Sequence, residues 1–494
     1  MTPPIKNITA IQSSYPISFS AKIGYYLAPV LLMIADYAVV VLALLTAWFI
    51  RAHILPTYFI NLAHFHASNI YLYIVIPSIY LLFLVYEGLY SKRLPFWQSA
   101  EKLFKICTYV SILAIMIMYF LGKAEQTSRL FVSLTWSISF MYLCIARYFG
   151  KRILTASGLW QKPVVIVGAG KTAEILAKTF TDDPGMGYKI VGVIEDNVVE
   201  RHLVQEYPHI GTFATVEQAV ITSGVQDVII AAPGLEREKL LNLIYLIQPY
   251  VRNLTIVPDL FGIPLSNMSV ETLLSEKMVL LRSRNNLSLM RNRLIKRLFD
   301  IIAGVIICLI IVLLLMLIAI KIKLDSPGPI MHIAKRLGKD GKEFSCYKFR
   351  TMHVNGDDML EDYFKENPSA KEDWDKFAKL KDFDPRVTKT GMLLRKFSLD
   401  ELPQIFNVLK GEMSLVGPRP YLPREKTRMG FFANTILETV PGITGLWQVS
   451  GRNEIEFEGR LQLDSWYVRN WSVWHDMVLL LKTVNVVLGR KGAY

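Results

Sequence analysis

Cysteine is scarce: four residues in 494, at positions 107, 144, 308 and 346. Their wide scatter fits neither a disulfide framework nor a zinc site, and three of them stand in apolar runs, so they read as small buried residues. No stripe of interleaved basic and aromatic side chains and no finger spacing occurs, which argues against nucleic acid as a partner. The first twenty residues are mixed polar and proline-bearing, and no cleavable signal peptide is expected there. What the chain has in excess is apolar sequence: 52% hydrophobic residues against 20% charged. That balance exceeds a soluble chain of average composition and implies a membrane protein of several domains. The net charge of +13 calls for anionic partners such as lipid headgroups or nucleotide phosphates.

Four apolar segments come first, at 26–50, 69–88, 103–121 and 129–149. Each is long enough to cross a hydrocarbon core of roughly 30 Å. Lys6 and Lys22 precede the first; Lys92, Arg93, Lys102 and Lys105 separate the second from the third; Arg147, Lys151 and Arg152 close the fourth. The other loops hold little more than Arg51, or Lys123 and Arg129. The positive-inside rule therefore puts both ends of a four-helix bundle on the cytoplasmic face. Asp36 and Glu87, within or at the end of spans, read as bundle-facing or interfacial carboxylates.

The middle of the chain reads as Rossmann-like α/β. A buried strand turns into a helix through Gly168-Ala-Gly170-Lys-Thr-Ala173, and a second strand ends at Glu195-Asp196. Glycines at that spacing allow a phosphate to approach a helix N-terminus, and the acids could hold a ribose. Gly168, Gly170 and Ala173 are thus candidate nucleotide contacts. The alternative is a Rossmann-shaped regulatory or dimerisation domain that binds no dinucleotide, and this is the preferred reading. A nucleotide-sugar dehydratase or reductase would need a Y-x-x-x-K pair downstream. The match that occurs, Tyr119 with Lys123, lies upstream at the end of an apolar run.

A fifth apolar stretch, Ile301–Ile320, follows a basic segment and precedes Lys321 and Lys323. Basic residues on both flanks disfavour a crossing, so a re-entrant helix that dips into the membrane and returns is expected. A bend needs an identifiable break, and no proline or polar residue stands at mid-segment. The expected organisation is a tail (1–22), a four-helix bundle (23–152), the Rossmann-like domain (160–265), a linker (266–295), a re-entrant helix (296–324) and an α-rich α/β catalytic domain (325–494).

In that last domain a carboxylate pair, Asp400-Glu401, opens an apolar-periodic segment, with Arg395 before it and Gly417-Pro-Arg419-Pro420 after. Taken locally, Ser398 and Glu401 are spaced as a capping box, and Asp400 could cap a helix holding Pro403 in its first turn. The surrounding blocks change the reading. Lys296-Arg297-Leu-Phe-Asp300, Asp325-Ser-Pro-Gly-Pro329, Tyr347-Lys348-Phe-Arg350, Asp384-Pro-Arg386, Ser398–Gln404, Ser414–Pro420, Pro441–Gly445 and Gly451-Arg452-Asn453 occur in order over about 200 residues. They resemble the bacterial sugar transferases that load a phosphosugar onto polyprenyl phosphate. With the four-span, Rossmann-like front end, the chain looks most like the undecaprenyl-phosphate galactose phosphotransferases. One feature departs from that family: Val312-Leu313 stand where its members usually carry the helix-breaking Ser-Pro.

The resemblance implies an inner-membrane phosphoglycosyl transferase with its catalytic domain on the cytoplasmic face. Its partners would be a UDP-sugar, undecaprenyl phosphate and membrane lipids, with Mg²⁺ as cofactor and a homodimer as a possible assembly. It would initiate O-antigen, capsule or exopolysaccharide synthesis. Asp400 would be the nucleophile and Glu401 its dyad partner, the two also contacting Mg²⁺. Arg395, Arg419 and Arg452, then Lys348 and Arg350, are the phosphate candidates, since guanidinium forks match phosphate oxygens. Two rivals remain: an NAD-dependent dehydratase or reductase using the glycine-rich loop, and a non-enzymatic assembly scaffold in which Asp400-Glu401 only caps a helix.

Overall fold

The computed structural model describes residues 19–59, 62, 65, 67–120, 122, 128–199, 201–259, 268–273, 278–282, 286–367, 384–451 and 455–488. The chain divides into two compact units, Met1–Asp259 and Leu260–Tyr494.

In the first unit the apolar runs form helices α1 (Phe19–Phe49), α2 (Ile76–Tyr86), α3 (Phe96–Phe120) and α4 (Arg129–Ala156). The helical stretches from Leu27, Phe96 and Arg129 are long and apolar enough to cross a membrane. The second expected span is shorter. It begins as a π-helical turn (Tyr71–Val75), Pro77 opens α2, and the apolar helix ends at Tyr86. Inside the bundle Asp36 pairs with Arg147 at 2.5 Å and accepts a hydrogen bond from Tyr90 at 2.8 Å, all three buried. Glu87 pairs with Lys102 at 2.8 Å. Each carboxylate thus has a cation partner within the bundle, in keeping with bundle-facing or interfacial residues.

After the bundle come β1 (Lys162–Val167), α5 (Lys171–Asp182), β2 (Tyr188–Ile194), β3 (His209–Gly211), α6 (Val216–Ser223), β4 (Asp227–Ile230), α7 (Arg237–Ile247) and β5 (Asn253–Ile256). The strands form one parallel sheet in the order β3-β2-β1-β4-β5. β1 and β4, at its centre, are almost continuous Val and Ile and are buried on both faces, as helix-covered parallel strands must be.

The second unit opens with an antiparallel pair, β6 (Ser269–Leu273) and β7 (Met278–Arg282), inside the stretch expected to be a linker. Its spine is α8 (Met290–Asp325), 36 residues and about 54 Å long. The re-entrant path expected for 301–320 has no break on which to hinge, since α8 is one α-helix with no proline inside. One face explains why. Lys296, Asp300, Gly304, Leu315, Ile318 and Ile322 recur at helical intervals and are buried against the rest of the unit. The opposite face leaves large apolar side chains exposed, among them Ile302, Leu309, Ile310, Leu313, Leu317 and Leu324.

After this spine come β8 (Met331–Leu337) and β9 (Glu343–Phe349), which pair antiparallel, then α9 (Gly356–Glu366), α10 (Lys389–Lys396) and α11 (Gln404–Lys410); β9, α10 and α11 pack against the spine. A two-stranded parallel pair follows, β10 (Ser414–Val416) with β11 (Gly442–Thr444). Helices α12 (Leu446–Ser450), α13 (Phe457–Arg469) and α14 (Val473–Leu488) complete the unit. Helix α9 is acidic in its first turn, with Asp357 and Asp358, and residues 368–383 after it lie outside the described residues.

Candidate active site

Most of the ordered sequence blocks turn out to be devices that fix one element against another. Lys296 donates to Asp476 at 2.8 Å and to the Val416 carbonyl at 2.9 Å. Arg297 donates to the carbonyls of Val408 and Leu409, the unsatisfied C-terminal end of α11. Asp300 accepts from the Ser414 hydroxyl and the Leu415 amide. At the other end of α8, Asp325 accepts the Thr390 amide and so anchors the first turn of α10. Asn407 accepts the Tyr347 amide and donates to the Ser345 carbonyl, locking β9 onto α11.

The carboxylate pair sits where α10 and α11 are joined. Ser398 is held at φ 55°, a left-handed conformation uncommon for a residue with a Cβ. Leu399–Glu401 then forms a single 3₁₀ turn, and Pro403 stands at the N-cap of α11. The capping-box expectation is not met. The Ser398 side chain makes no cap hydrogen bond, and Glu401 reaches across to Lys348, with Nζ 2.5 Å from Oε1. A turn too tight for a regular helix thus projects the two acids instead of burying them in helix capping.

Asp400 faces a cavity of about 490 Å³ that Lys348, Arg395, Arg336, Arg386, His332 and His353 also line. Burial, then repulsion from Glu401, pushes its carboxyl up to about 6, against the opposing pull of Lys348 and Arg395. A half-buried acid on a strained turn in a cation-lined cleft is the arrangement expected of a reacting group.

The phosphate candidates separate into different situations. Lys348 and Arg395 line the cavity beside Asp400, Arg395 held by donation from Nε to the Thr351 hydroxyl at 3.0 Å. Arg350 also lines it, but its two terminal nitrogens donate to the carbonyls of Pro327 and Ser326. It clamps the Ser326–Pro329 loop. Gly328, at φ 125°, leaves it room: a Cβ there would lie 1.9 Å from the Arg350 Nη1. Arg419 lies on the β10–β11 side, its amide donating to Asp464 at 3.0 Å and its guanidinium 5.5 Å from the Trp447 ring. Arg452 lies outside the described residues.

Sequence reading missed His332, Arg336, His353, Arg386 and Arg460. Alternation along β8 places His332, Ala334 and Arg336 on one face of the strand, and all three line the cavity. That signal was present but hidden among ordinary surface charges. Arg386 forks onto Asp384 at 2.7 and 2.8 Å, so the Asp384-Pro-Arg386 block is a local clamp.

The donor set of Asp400 and Glu401 fits Mg²⁺, which usually takes one or two carboxylates, retains waters and leans on substrate phosphates. Among the described residues, no group of three or more ligand-type side chains gathers as an all-protein metal cage would require.

In the first unit the glycine-rich loop is built as expected: Gly168 has φ 98°, and a Cβ there would meet the Ala232 Cβ at 2.8 Å. Gly170 caps α5 and Ala173 is buried beneath it. The acids, however, are engaged. Glu195 accepts the Ala169 amide at 2.6 Å through one oxygen and the amides of Asp196 and Asn197 through the other. Asp196 accepts the Phe213 amide at 2.8 Å.

Residues 291–490 match the family model described as bacterial sugar transferase, and residues 86–258 match one described as a CoA-binding domain. An uncharacterized sugar transferase of Haemophilus influenzae is 38% identical over 411 residues, 82% of this chain and 85% of that protein. The chain belongs to the bacterial sugar transferase family. As such it is an enzyme, a phosphoglycosyl transferase equipped with apolar, membrane-type helices. The undecaprenyl-phosphate galactose phosphotransferase of Salmonella typhimurium is 36% identical over 406 residues, 82% of this transferase and 84% of the relative. The exopolysaccharide production protein ExoY of Rhizobium meliloti is 43% identical over 199 residues, which make up 88% of ExoY but 40% of this transferase. A stretch about as long as the sugar transferase match is thus most of a whole relative.

Proposed function

We propose that the transferase moves hexose 1-phosphate, with galactose as the first candidate, from a UDP-hexose to undecaprenyl phosphate and releases UMP. Asp400 is the nucleophile in this reading. One carboxylate oxygen bonds to the phosphorus that bears the sugar; the bridging P–O bond breaks, and its electron pair leaves with UMP. An oxygen of the polyprenyl phosphate then bonds to the same phosphorus, the acyl phosphate bond breaks, and the Asp400 carboxylate is regenerated. Both attacking groups and the target are anionic, so positioning and charge neutralisation carry most of the catalysis. A Mg²⁺ ion held at Asp400 and Glu401 would supply further positive charge to the diphosphate.

The observation that supports this most is the placement of Asp400, raised to about 6, in a cavity lined by Lys348 and Arg395. Glu401, paired with Lys348, serves to orient that cation and with Asp400 would hold the metal. A base for the second step is not required, since a phosphate monoester is already largely dianionic at neutral pH. The donor is made in the cytoplasm, so in this reading the second unit faces that side and the unbroken α8 lies in the membrane interface, its exposed apolar face in lipid, without crossing. A helix packed along one face against its own unit keeps both basic flanks on one side without a Ser-Pro bend. The lipid-linked sugar would initiate a surface polysaccharide.

The test is UMP release from UDP-galactose and UDP-glucose, with undecaprenyl phosphate and Mg²⁺, in wild type and Asp400→Asn. Lipid-dependent release that the substitution abolishes is the expected result. Undiminished release by Asp400→Asn would remove the covalent mechanism, and the faster donor identifies the hexose.

A further inference from the structure

At one end of the cavity that Asp400 faces, Arg336 meets two further cations that the reaction as described leaves unused. The guanidinium carbons of Arg419 and Arg460 lie 5.5 and 5.2 Å from the centre of one indole, that of Trp447. Arg336, on β8, points the same way: its Nη1 is 3.5 Å from the carbonyl of Pro420, the residue after Arg419. Burial, and after it repulsion from the Arg419 guanidinium, holds both Arg336 and Arg460 below the ordinary arginine range. Among the described residues, none of the three has a carboxylate at ion-pair distance. Two acids lie near the cluster, and neither forks onto a guanidinium: Asp464, fully buried, accepts from the Arg419 amide and the Tyr421 hydroxyl, and Glu425 accepts from the Leu422 amide. Three like charges stand together with Glu425 near Arg336 and Arg460 but with no carboxylate at ion-pair distance, and a bound anion would relieve their repulsion.

Position narrows what the anion is. β8 begins shortly after the end of α8, and its cavity-lining residues run from His332 to Arg336, about 13 Å along the strand. Beside His332 the cavity is lined by Met331, Val354 is also on its wall, both are exposed apolar groups, and Leu324 at the end of α8 is exposed as well. A phosphate carrying a long hydrocarbon tail arrives at that end. The Arg336 end is left for the soluble substrate.

We infer that Arg336, Arg419 and Arg460, gathered about Trp447, form the subsite for the phosphate of the departing nucleoside monophosphate. The inference rests on the proposed transfer reaction and deepens it. When the bridging P–O bond breaks, the electron pair stays on the nucleoside phosphate, which becomes a dianion. Positive charge fixed at that place stabilises the transition state more than the ground state, where the charge is still shared across the diphosphate. Arg460 is the new member, since nothing in its local sequence marks it.

The experiment uses the full chain in lipid nanodiscs and measures binding of UMP, uridine and inorganic phosphate by titration calorimetry. Wild type is compared with Arg336→Gln, Arg460→Gln and Arg460→Lys. UMP is expected to bind about tenfold or more weakly to both Gln variants, with Arg460→Lys in between and uridine unaffected. In turnover, KM for the UDP-hexose rises while KM for the polyprenyl phosphate stays put. A second readout needs no variant: UMP should protect these arginines of the wild type from phenylglyoxal, read by mass spectrometry. Unchanged UMP affinity in both Gln variants, or equal modification with and without UMP, overturns the subsite. A rise confined to the polyprenyl phosphate KM overturns it too, by giving the cluster to the acceptor. Wild type that binds UMP through these arginines yet transfers no hexose phosphate would sink the transfer reading and leave the subsite standing. Continued transfer with UMP binding indifferent to the variants does the reverse.

Discussion

Lys348 Nζ lies 2.5 Å from Glu401 Oε1, so the neighbouring carboxylates of the dyad are not equivalent. Glu401 has its counter-ion. Asp400 is left with burial and with the charge of Glu401 itself, both of which favour its protonated form. Lys348 is therefore a controlling residue for Asp400 at one remove. In Lys348→Met the acid limb of kcat/KM for the UDP-hexose is expected to move to higher pH. The rate at pH 7 should fall about ten- to hundredfold. Glu401→Gln, which removes the repelling charge, should move the limb to lower pH. Limbs that coincide in all three proteins would mean that Asp400 ionisation does not control the rate.

Asp400 itself should show the conflict between stability and function. Its folded-state value of about 6 stands above the unfolded value of 3.8. The folded protein then binds the proton more tightly, and wild-type stability declines as pH rises from about 4 to about 6. The neutral amide of Asp400→Asn carries no charge to penalise. Without substrates and in EDTA, this variant should match wild type near pH 4. Above pH 6 it should exceed it by on the order of 1–3 kcal/mol in denaturant unfolding. Its turnover should fall by about three orders of magnitude or more. A variant less stable at pH 7 than wild type would show that Asp400 serves the fold.

Much of this architecture was legible in the sequence, for identifiable reasons. Long apolar runs and their basic flanks set the helices, and a Val/Ile strand ending in Gly168-Ala-Gly170 set the parallel sheet. The second apolar segment, expected at 69–88, is an apolar helix over Tyr71–Tyr86, with a π-helical turn before Pro77 that the apolar run alone does not show. The capping box at Ser398 and Glu401 failed because Lys348, distant in sequence, competes for the carboxylate. Arg350 and Arg395 look alike as letters in a motif, yet one is committed to backbone carbonyls and the other faces the cavity. Arg336 was marked only by the alternation along β8, and Arg460 could not be read at all, because its meaning lies in meeting Arg419 in space.

Asp464 offers a pH test away from the dyad. It is fully buried with no cation paired to it among the described residues, and burial lifts its carboxyl up to about 7. One oxygen accepts the Arg419 amide and the Tyr421 hydroxyl, while the other has no hydrogen-bond partner among the described residues. The folded protein holds this proton more tightly than the unfolded chain, so the stabilising contribution is full below about pH 4 and is lost as pH rises towards 7. Asp464→Asn retains an acceptor oxygen for both donors. Its melting temperature should therefore equal or exceed wild type at pH 8 and show less decline between pH 5 and pH 8. A variant that melts lower at pH 8 than at pH 5, by the same margin as wild type, would show that Asp464 is not the group titrating.

The Lys296–Asp476 pair tests the spine. Both side chains are almost wholly buried, 2.8 Å apart, and Asp476 also accepts from Tyr467 at 2.7 Å and from the Trp471 indole at 3.0 Å. Lys296 is thus the counter-ion of a buried carboxylate at the junction of α8, β10, α13 and α14. Removing one partner leaves a buried charge without compensation, which costs about 3–5 kcal/mol. Lys296→Met should lose that much in denaturant unfolding. The double variant Lys296→Met/Asp476→Leu should recover part of it, because no uncompensated charge remains. Tyr467 and Trp471 would still lack their acceptor in the double variant, so full recovery is not expected. Catalytic loss should follow stability in both proteins, since β10 leads directly into Arg419 while neither side chain lines the cavity around Asp400. If the double variant were no more stable than Lys296→Met, the pair would owe its importance to packing at that junction and not to charge.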